Sequence, residues 1–198
     1  MIEVEKNFDL KAGDKERLID GAEFIARKSF TDVYFDATDF SLTARDYWLR
    51  TRDGKFELKV PLNMKSPDSR KTDQYRELET DIEISKELGF PTDCGLSGEL
   101  VKRGYKPFAT ITTIRESYRK GNFHLDFDEM DFGFTAFEVE LMVEDNSQIS
   151  SAEAEILKFA KSHGISDTKS QGKVIEYIRR NNPEHYRILE ARGNVTKH

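Results

Sequence analysis

Charged residues recur at every second position in several short stretches of this sequence, and this alternation restricts the possible folds more than any other feature. Successive side chains of a β-strand point to opposite faces, so two charges separated by one residue share a face. The pairs are Glu3 and Glu5, Arg50 and Arg52, Glu57 and Lys59, Glu77 and Glu79, Asp126 and Asp128, and Glu138 and Glu140. The residues between them are mostly apolar, which predicts strands with one charged face and one apolar face.

Two arrangements accommodate such strands. In an antiparallel sheet the charged face often contacts solvent, and any single pair fits that interpretation. Several pairs carry only one sign, however, and like charges repel, so groups of opposite charge are expected nearby. A closed sheet would turn all the pairs into one tunnel. We therefore predict an α+β fold with residues 1–198 in one domain: a closed eight-stranded antiparallel β-barrel with a charged interior and helices packed outside.

Eight segments have the alternation and composition of strands. They are Ile2–Phe8, Phe30–Asp36, Tyr47–Arg52, Lys55–Val60, Gln74–Thr80, Phe108–Tyr118, Asn122–Asp128 and Thr135–Val143. The dipeptide Asp53-Gly54 is typical of a two-residue hairpin turn, and Lys120-Gly121 suits a second hairpin. Across the first turn, the predicted pairs are Trp48 with Lys59, Arg50 with Glu57, and Arg52 with Lys55, all on one face.

Apolar residues with helical spacing predict helices around the strands. The predicted helical segments are Asp14–Arg27, Ile82–Leu88, Ser150–His163, Gly172–Arg180 and Pro183–Glu190, and the predicted loops are Pro61–Thr72 and Pro91–Gly98. Ser150 or Ser151 would cap the helix that Gly164 ends. Pro183 suits the first position of the last helix, where its missing N–H is not needed.

The composition excludes several classes of protein. Charged residues make up 34% of the chain and apolar residues 37%, so the charge must either cover the surface or line a polar interior. A net charge of −6 argues against nonspecific nucleic-acid binding. No apolar run approaches the ~20 residues that cross a bilayer. The first residues lack a signal-peptide pattern and Cys94 is the single cysteine, so we expect a cytoplasmic monomer without membrane or nucleic-acid partners.

Inside a closed tunnel, the charges would form two groups of opposite sign. The carboxylates are Glu3, Glu5, Asp126, Asp128, Glu138 and Glu140, and the cations are Arg50, Arg52, Lys59, Arg115 and Lys173. Carboxylate oxygens suit Mg²⁺ and Mn²⁺, and guanidinium groups match phosphate oxygens. The sequence thus indicates a site for a metal-bound polyphosphate. Trp48 would lie beside the cations, either as a core aromatic or as a platform for a flat or cationic ring.

These residues lie in motifs that resemble a known family. In chain order, the motifs are Glu3-Val4-Glu5, VYFDATDFSLTARDYWLRTR, ELKV, YREL, LDFDEMDFG, FEVELMV and GKVIEYIRRNNPEHY. Together they are similar to the CYTH, or triphosphate tunnel metalloenzyme, superfamily, and within it to animal thiamine triphosphatases. The resemblance covers nearly the whole chain. It implies an eight-stranded tunnel that hydrolyses a small-molecule triphosphate with Mg²⁺, or alternatively Mn²⁺.

The resemblance also implies roles for individual residues. The metal ligands would be Glu3, Glu5, Asp126, Glu138 and Glu140. The substrate-binding residues would be Arg50, Arg52, Lys59, Arg115, Lys173, Trp48 and Asp128, and the catalytic residues Lys59, Tyr34 and Glu77. Trp48 corresponds to an aromatic residue that contacts the thiamine ring, and Tyr34 to a tyrosine near the leaving phosphate.

One position departs from the family pattern. The family has a lysine two residues after the second glutamate, where this chain has Asn7, and Lys6 stands next to it. By alternation Lys6 faces away from Glu3 and Glu5. Either a β-bulge turns Lys6 inward, or one phosphate-binding charge is missing.

The implied function is the hydrolysis of thiamine triphosphate to thiamine diphosphate and phosphate. The alternatives are an inorganic triphosphatase or an adenylyl cyclase on the same fold, and a noncatalytic barrel that binds polyanions. The carboxylates argue against the noncatalytic barrel, because anion binding gains nothing from them. No covalent nucleophile is evident, since Cys94 has no neighbouring histidine. The histidines lack ligand-like spacing and are expected to be incidental: His124, His163, His185 and His198.

Overall fold

Eight antiparallel strands close into a barrel in the order β1-β5-β4-β3-β2-β6-β7-β8. The computed structural model describes residues 1–62, 72–93, 95–167 and 170–195. Most of the predicted loop Pro61–Thr72, as well as Cys94 and His198, lies outside the described residues. The strands are β1 (Ile2–Phe8), β2 (Glu23–Asp36), β3 (Trp48–Arg52), β4 (Lys55–Pro61), β5 (Asp73–Leu78), β6 (Lys106–Lys120), β7 (Phe123–Met130) and β8 (Phe134–Val143). The predicted closed barrel is confirmed.

Helices pack around the outside of this barrel. They are α1 (Asp14–Ile19), α2 (Asp81–Leu88), α3 (Leu96–Lys102), α4 (Ile149–Ser162), α5 (Lys173–Asn181) and α6 (Pro183–Arg192). Within the described ranges, none of the helices is both long and apolar enough to cross a membrane.

The apolar faces of the strands point outward, which is the reverse of a barrel with an apolar core. Val4 and Val139 are fully buried against Ile156 of α4. On another side, Leu49 and Leu58 pack with the residues of α2 and α3. Burial of this apolar surface between barrel and helices is the main source of stability for such an arrangement. The faces of the strands that point into the barrel can therefore carry charged residues.

The β3–β4 hairpin has the predicted register, with Trp48 opposite Lys59, Arg50 opposite Glu57 and Arg52 opposite Lys55. Its turn residues Asp53 and Gly54 have φ values of 49° and 82°. Positive φ at both central positions matches the strand twist, which explains the preference for Asp-Gly at this point.

The sequence-based boundaries are wrong at two places. The predicted helix Asp14–Arg27 ends at Ile19, and Glu23 already begins β2. Gly21, with a φ of 68°, redirects the chain, and the residues that follow pair with the long strand β6 instead. The predicted loop Pro91–Gly98 also contains the start of α3, which the sequence analysis missed.

Smaller corrections concern caps and turns. The second hairpin turns at Gly121 and the next residue, because Lys120 still pairs with Phe123. Helix α4 begins at Ile149 rather than after a serine cap, and Asp145 caps the short 3₁₀ turn before it. The predicted strand Gln74–Thr80 ends at Leu78, since Thr80 caps α2 by accepting a hydrogen bond from the Glu83 N–H.

Candidate functional site

The barrel encloses a cavity of about 370 Å³ whose wall is mostly charged. All of the sequence-predicted site residues contribute to this wall. Eleven carboxylate side chains but only five lysine or arginine side chains line it. The predicted members are Glu3, Glu5, Tyr34, Trp48, Arg50, Arg52, Lys59, Glu77, Arg115, Asp126, Asp128, Glu138, Glu140 and Lys173. The alternating pairs therefore face a common interior.

Carboxylates crowd together where β1, β8 and β7 are neighbours. Glu5 lies directly opposite Glu140, and Glu138 lies opposite Asp126. Burial raises the pKa of Glu5 well above its ordinary value, and the negative charges of Glu138 and Glu3 raise it further. Burial, together with Glu3 and Glu138, also raises the pKa of Glu140, to about 7. Burial is the main cause of both shifts and the neighbouring carboxylates add to it, so the ionised forms of Glu5 and Glu140 are disfavoured here.

Lys59 reaches into this wall from β4. Its Nζ lies 2.5 Å from Glu3 Oε2 and 2.6 Å from Glu5 Oε2. Burial would lower the pKa of Lys59, but Glu3 and Glu5 hold it well above the ordinary value. Glu77 stands nearby, with Oε1 3.7 Å from the same ammonium. The Lys59 ammonium therefore lies between two of the carboxylates that would hold a divalent cation.

The carboxylate wall fits a hard divalent cation in its chemistry. Its donors are carboxylate oxygens, which Mg²⁺ and Mn²⁺ prefer, and the negative charges of Glu3 and Glu138 that help to raise the pKa values of Glu5 and Glu140 would attract a cation there. Among the residues that the structure describes, no three potential ligands are already gathered around one point. Side-chain movement away from Lys59 would be needed to complete such a site.

The opposite wall carries cations held by a buried carboxylate that the sequence analysis missed. Asp32 of β2 is fully buried, with Oδ1 2.8 Å from Arg52 Nε and Oδ2 2.7 Å from Lys173 Nζ. Burial would raise the pKa of Asp32, but these cations and Arg50 lower it far below its ordinary value. Its position two residues before Tyr34 places it on the inner face, and this spacing could have identified it.

Arg115 is fixed by a second carboxylate. Asp128 accepts two hydrogen bonds from it, at 2.6 and 2.7 Å, and Asp126 forms a further ion pair with the same guanidinium. Asp128, predicted as a substrate-binding residue, thus has its oxygens engaged with Arg115. Its observed contact orients a cation toward the cavity.

The ring of Phe30 lies close to the charged groups of three of these cations. The charged groups of Arg52, Lys173 and Arg115 lie 4.1, 4.9 and 5.5 Å from the centre of its ring. The negative face of an aromatic ring attracts cations at such distances. Phe30 therefore helps to keep three like charges together, a role that the sequence did not indicate.

His124 also faces the cavity, contrary to the expectation that the histidines are incidental. Its Nε2 lies 3.0 Å from Asp126 Oδ1, and this hydrogen bond raises the pKa of His124. On β7 it lies two residues before Asp126, so alternation alone could have placed it on the inner face.

The structure decides between the two interpretations of Lys6. Strand β1 pairs with β8 in an unbroken register, without a bulge. The Lys6 side chain faces outward, and its Nζ lies 2.5 Å from Asp167 Oδ1. Asn7 faces the cavity. The inner face of β1 therefore presents an amide at this position.

Aromatic side chains form the last part of the wall. Trp48, Tyr34 and Tyr75 are buried and line the cavity together. The indole Nε1 of Trp48 donates a hydrogen bond of 2.9 Å to Asp46 Oδ1. Trp48 is thus both a packed aromatic and a cavity residue, so the two sequence-based interpretations do not exclude each other.

Known proteins resemble this chain over nearly its full length. Human thiamine-triphosphatase is 28% identical over 218 aligned residues, which cover 98% of this chain and 92% of the human protein. The PH1819 protein from Pyrococcus horikoshii OT3 has the same fold, with a TM-score of 0.64 at 19% identity over 90% of this chain and 99% of that one.

A further structure with this fold is HpAC1 from Hippeastrum, a proposed adenylyl cyclase that reveals a dominant triphosphatase activity. Its TM-score is 0.55 at 18% identity, and the match covers 90% of this chain and 95% of HpAC1. The CYTH domain is matched over residues 1–172, which contain all eight strands and the carboxylate wall. The chain therefore belongs to the CYTH domain family.

Proposed function

We propose that this protein is a phosphoric-anhydride hydrolase that converts thiamine triphosphate to thiamine diphosphate and phosphate in a divalent-cation-dependent reaction. The observation that carries the proposal is that one cavity is lined by both a set of lysine and arginine side chains and a set of carboxylates. A polyphosphate alone would be repelled by eleven carboxylates, whereas a polyphosphate that carries a metal ion complements both walls.

The cationic wall would bind the triphosphate oxygens. Arg50, Arg52 and Arg115 present guanidinium groups that match pairs of phosphate oxygens, and Lys173 adds a point charge. Asp32 and Asp128 hold three of these side chains in place before substrate arrives. Such preorganisation lowers the barrier because little rearrangement is needed when charge moves during phosphoryl transfer.

The carboxylate wall would hold Mg²⁺, with Mn²⁺ as an alternative, through Glu3, Glu5, Asp126, Glu138 and Glu140. When bound, the ion would neutralise phosphate charge and help to orient the chain for attack. A water molecule attacks the terminal phosphorus, the bond between this phosphorus and the bridging oxygen breaks, and thiamine diphosphate leaves with that oxygen. Lys59, Glu77 and Tyr34 would be the catalytic residues. They would lie near the bond that breaks between the terminal phosphate and the diphosphate.

The choice of thiamine triphosphate rests on Trp48 and on the human relative. Trp48, Tyr34 and Tyr75 line the cavity together with Arg50, and their rings offer a surface on which an organic ring could stack. Inorganic triphosphate is the second candidate substrate, because the charged walls alone would suffice to bind it.

Phosphate release tests the proposal. Thiamine triphosphate, inorganic triphosphate and ATP are compared at equal concentration with Mg²⁺ and with Mn²⁺, each with a chelator control. We expect the highest kcat/KM for thiamine triphosphate, and no release with chelator. A preference for inorganic triphosphate would show that the protein is a hydrolase with a different substrate from the one proposed. A lack of metal-dependent phosphate release from all three compounds would contradict the proposed function.

A further inference from the structure

A lysine occupies a position of β1 that an apolar residue would suit better. Lys6 lies between Val4 and Phe8 on the outer face of the strand, and both of these neighbours belong to an apolar core outside the barrel. Only 3% of Lys6 is exposed. Moving an ammonium group out of water costs free energy unless a group of opposite charge compensates. We therefore expect Lys6 to make a contact that an apolar residue could not make.

That contact joins β1 to the segment before α5. The Nζ of Lys6 lies 2.5 Å from Asp167 Oδ1, and the Asp167 side chain is 69% exposed. The aliphatic stem of a lysine can cover apolar surface while its ammonium reaches a partner at the edge of that surface. Within the described part of the chain, Asp167 is the only acidic partner of Lys6. Loss of Asp167 would leave a buried ammonium without its counter-charge.

The next residue of β1 holds the same segment by its backbone. The Ser170 N–H donates a hydrogen bond of 3.3 Å to the Asn7 carbonyl. Ile165, at the start of the segment, is buried in the same apolar core as Val4. Two consecutive residues of β1 are therefore attached to one short stretch of chain, Lys6 through its side chain and Asn7 through its carbonyl. The position of this stretch relative to the barrel is set by β1.

This segment leads directly into the cavity. Ser170, Gly172 and Lys173 all line it, and Lys173 is the first residue of α5. The Nζ of Lys173 lies 2.7 Å from Asp32 Oδ2, on the cationic wall. Three residues span at most about 10 Å, so little chain separates the Ser170 attachment from Lys173. A shift of the backbone at Ser170 would therefore move Lys173 relative to the other cations.

We propose that Lys6 is a positioning residue for the triphosphate site, which acts through Asp167 and the segment that follows it to hold Lys173 among the phosphate-binding cations. The inference rests on the proposed function and deepens it. Lys6 points away from the cavity and does not contact the ligand. Its charge contributes to triphosphate binding by fixing the place of a second lysine that does.

The variants Lys6→Met and Asp167→Asn test this role, because each removes one charge of the pair. The probe is the imido analogue of inorganic triphosphate with Mg²⁺, in which bridging N–H groups prevent hydrolysis, and isothermal titration calorimetry gives its affinity. We expect the affinity to fall about fivefold in either variant. Lys6→Arg keeps the charge and should recover part of the loss.

Lys15→Met is the matched control, since it removes a lysine whose partner is Glu116 of β6. Its affinity for the analogue should equal that of the unchanged protein. Asp167 is exposed, so Asp167→Asn tests the proposal even if Lys6→Met fails to fold. An unchanged affinity in Asp167→Asn would overturn the proposal, because Lys6 would then act without its partner.

A double-mutant cycle separates positioning from a general effect on the fold. An effect that acts through Lys173 must vanish once the charge of Lys173 is absent. In a Lys173→Met background, Lys6→Met should therefore weaken binding of the analogue no further, so the two losses are not additive. Additive losses would overturn the proposal, because Lys6 would then influence the cavity independently of Lys173.

Hydrogen exchange of single amides tests the attachment itself, without any activity or ligand. The Ser170 amide, which bonds to Asn7, should exchange about tenfold faster in Asp167→Asn, because the segment opens more often. The Tyr186 amide, which bonds to Asn182 in α6, is the control and should not change. Unchanged exchange at Ser170 would overturn the role of Lys6 even if thiamine triphosphate is hydrolysed. Faster exchange with weaker binding of the analogue would support it even if another triphosphate is the substrate.

Discussion

The two walls of the cavity hold their charges in different ways. On the cationic wall each key side chain already has a buried partner: Asp32 holds Arg52 and Lys173, and Asp128 holds Arg115. On the carboxylate wall Glu5 lies opposite Glu140, and burial together with the charges of Glu3 and Glu138 raises the pKa values of both. One wall is therefore organised before ligand binds, whereas the other stores repulsion that a cation would relieve. We infer from this difference that the cationic wall positions the triphosphate, and that the carboxylate wall makes the reaction depend on a metal ion.

The largest expected effect comes from neutralising one carboxylate of the crowded wall. Glu138→Gln should reduce metal-dependent phosphate release by at least about a hundredfold, because an amide binds a hard cation poorly. The same change should stabilise the metal-free protein. Burial raises the pKa of Glu138, and Glu3 and Asp126 raise it further, while Lys59 and Arg115 oppose the shift. Because the pKa is higher in the folded protein than in the unfolded chain, the ionised Glu138 destabilises the fold at pH values above the ordinary carboxyl pKa.

Thermal unfolding with chelator at neutral pH measures that second effect. We expect the midpoint of Glu138→Gln to rise by about 2–4 °C, the shift that corresponds to roughly 1 kcal/mol in a chain of this size. Glu129→Gln, on the exposed face of the neighbouring strand β7, is the control and should change neither property. Normal activity together with an unchanged midpoint would remove the contrast between the two walls.

Removing the charge of Asp32 should have the opposite signature. Asp32→Asn removes the buried charge that both Arg52 and Lys173 contact, which should cost about 3 kcal/mol of unfolding free energy. Inorganic triphosphate supplies the missing negative charge, so it should stabilise the variant more than it stabilises the unchanged protein. Urea unfolding with and without triphosphate gives both numbers. A loss of stability that triphosphate does not reduce would mean that Asp32 acts on the fold and not on the cations.

Lys173 gives the cationic wall a pH dependence. Burial lowers its pKa to about 8, with Arg50 adding to the effect and Asp32 opposing it. A lysine with a lowered pKa loses its charge as pH rises through that value, so triphosphate affinity should fall by about tenfold between about pH 7 and about pH 9.5. In Lys173→Arg the charge persists, and the decline attributable to this residue should disappear. Isothermal titration calorimetry at fixed metal concentration measures the triphosphate affinity of both proteins as a function of pH. The same decline with pH in both proteins would exclude Lys173 as the titrating group.

The smallest expected effect concerns Phe30, beneath three cations. Phe30→Leu keeps the apolar volume but loses the ring face, a change of about 0.5–1 kcal/mol. The KM for the triphosphate should therefore rise about threefold with little change in kcat, because the cations are held less firmly. Phe24→Leu is the control, since Phe24 lies on the same strand and is 55% exposed. Identical KM values for Phe30→Leu and the control would show that the carboxylates alone position the cations.

Sequence reasoning predicted the barrel and the charged wall because both depend on a two-residue period that survives in any strand. Glu3 with Glu5, and Glu138 with Glu140, could be assigned to one face without a structure. Asp32 and His124 obey the same alternation, but Asp32 has no charged residue two positions away and His124 was not counted as a charge beside Asp126, so the pattern of pairs missed both. The contacts of Phe30 depend on side chains from three separate strands or helices, which no local period encodes. The first half of β2 was misassigned because its apolar residues fit a helix, while pairing with β6 decides in favour of a strand.

The outward-facing apolar strands separate two kinds of mutational risk. Residues such as Val4 and Leu58 hold the helices to the barrel, so changes there threaten folding. Changes to polar residues of the lumen remove little apolar contact, and their cost is set by charge balance, which a bound ligand or a second substitution can restore. In a barrel of this kind a single cavity side chain can change while the apolar shell stays the same. The scaffold is thus suited to divergence of substrate range within one architecture.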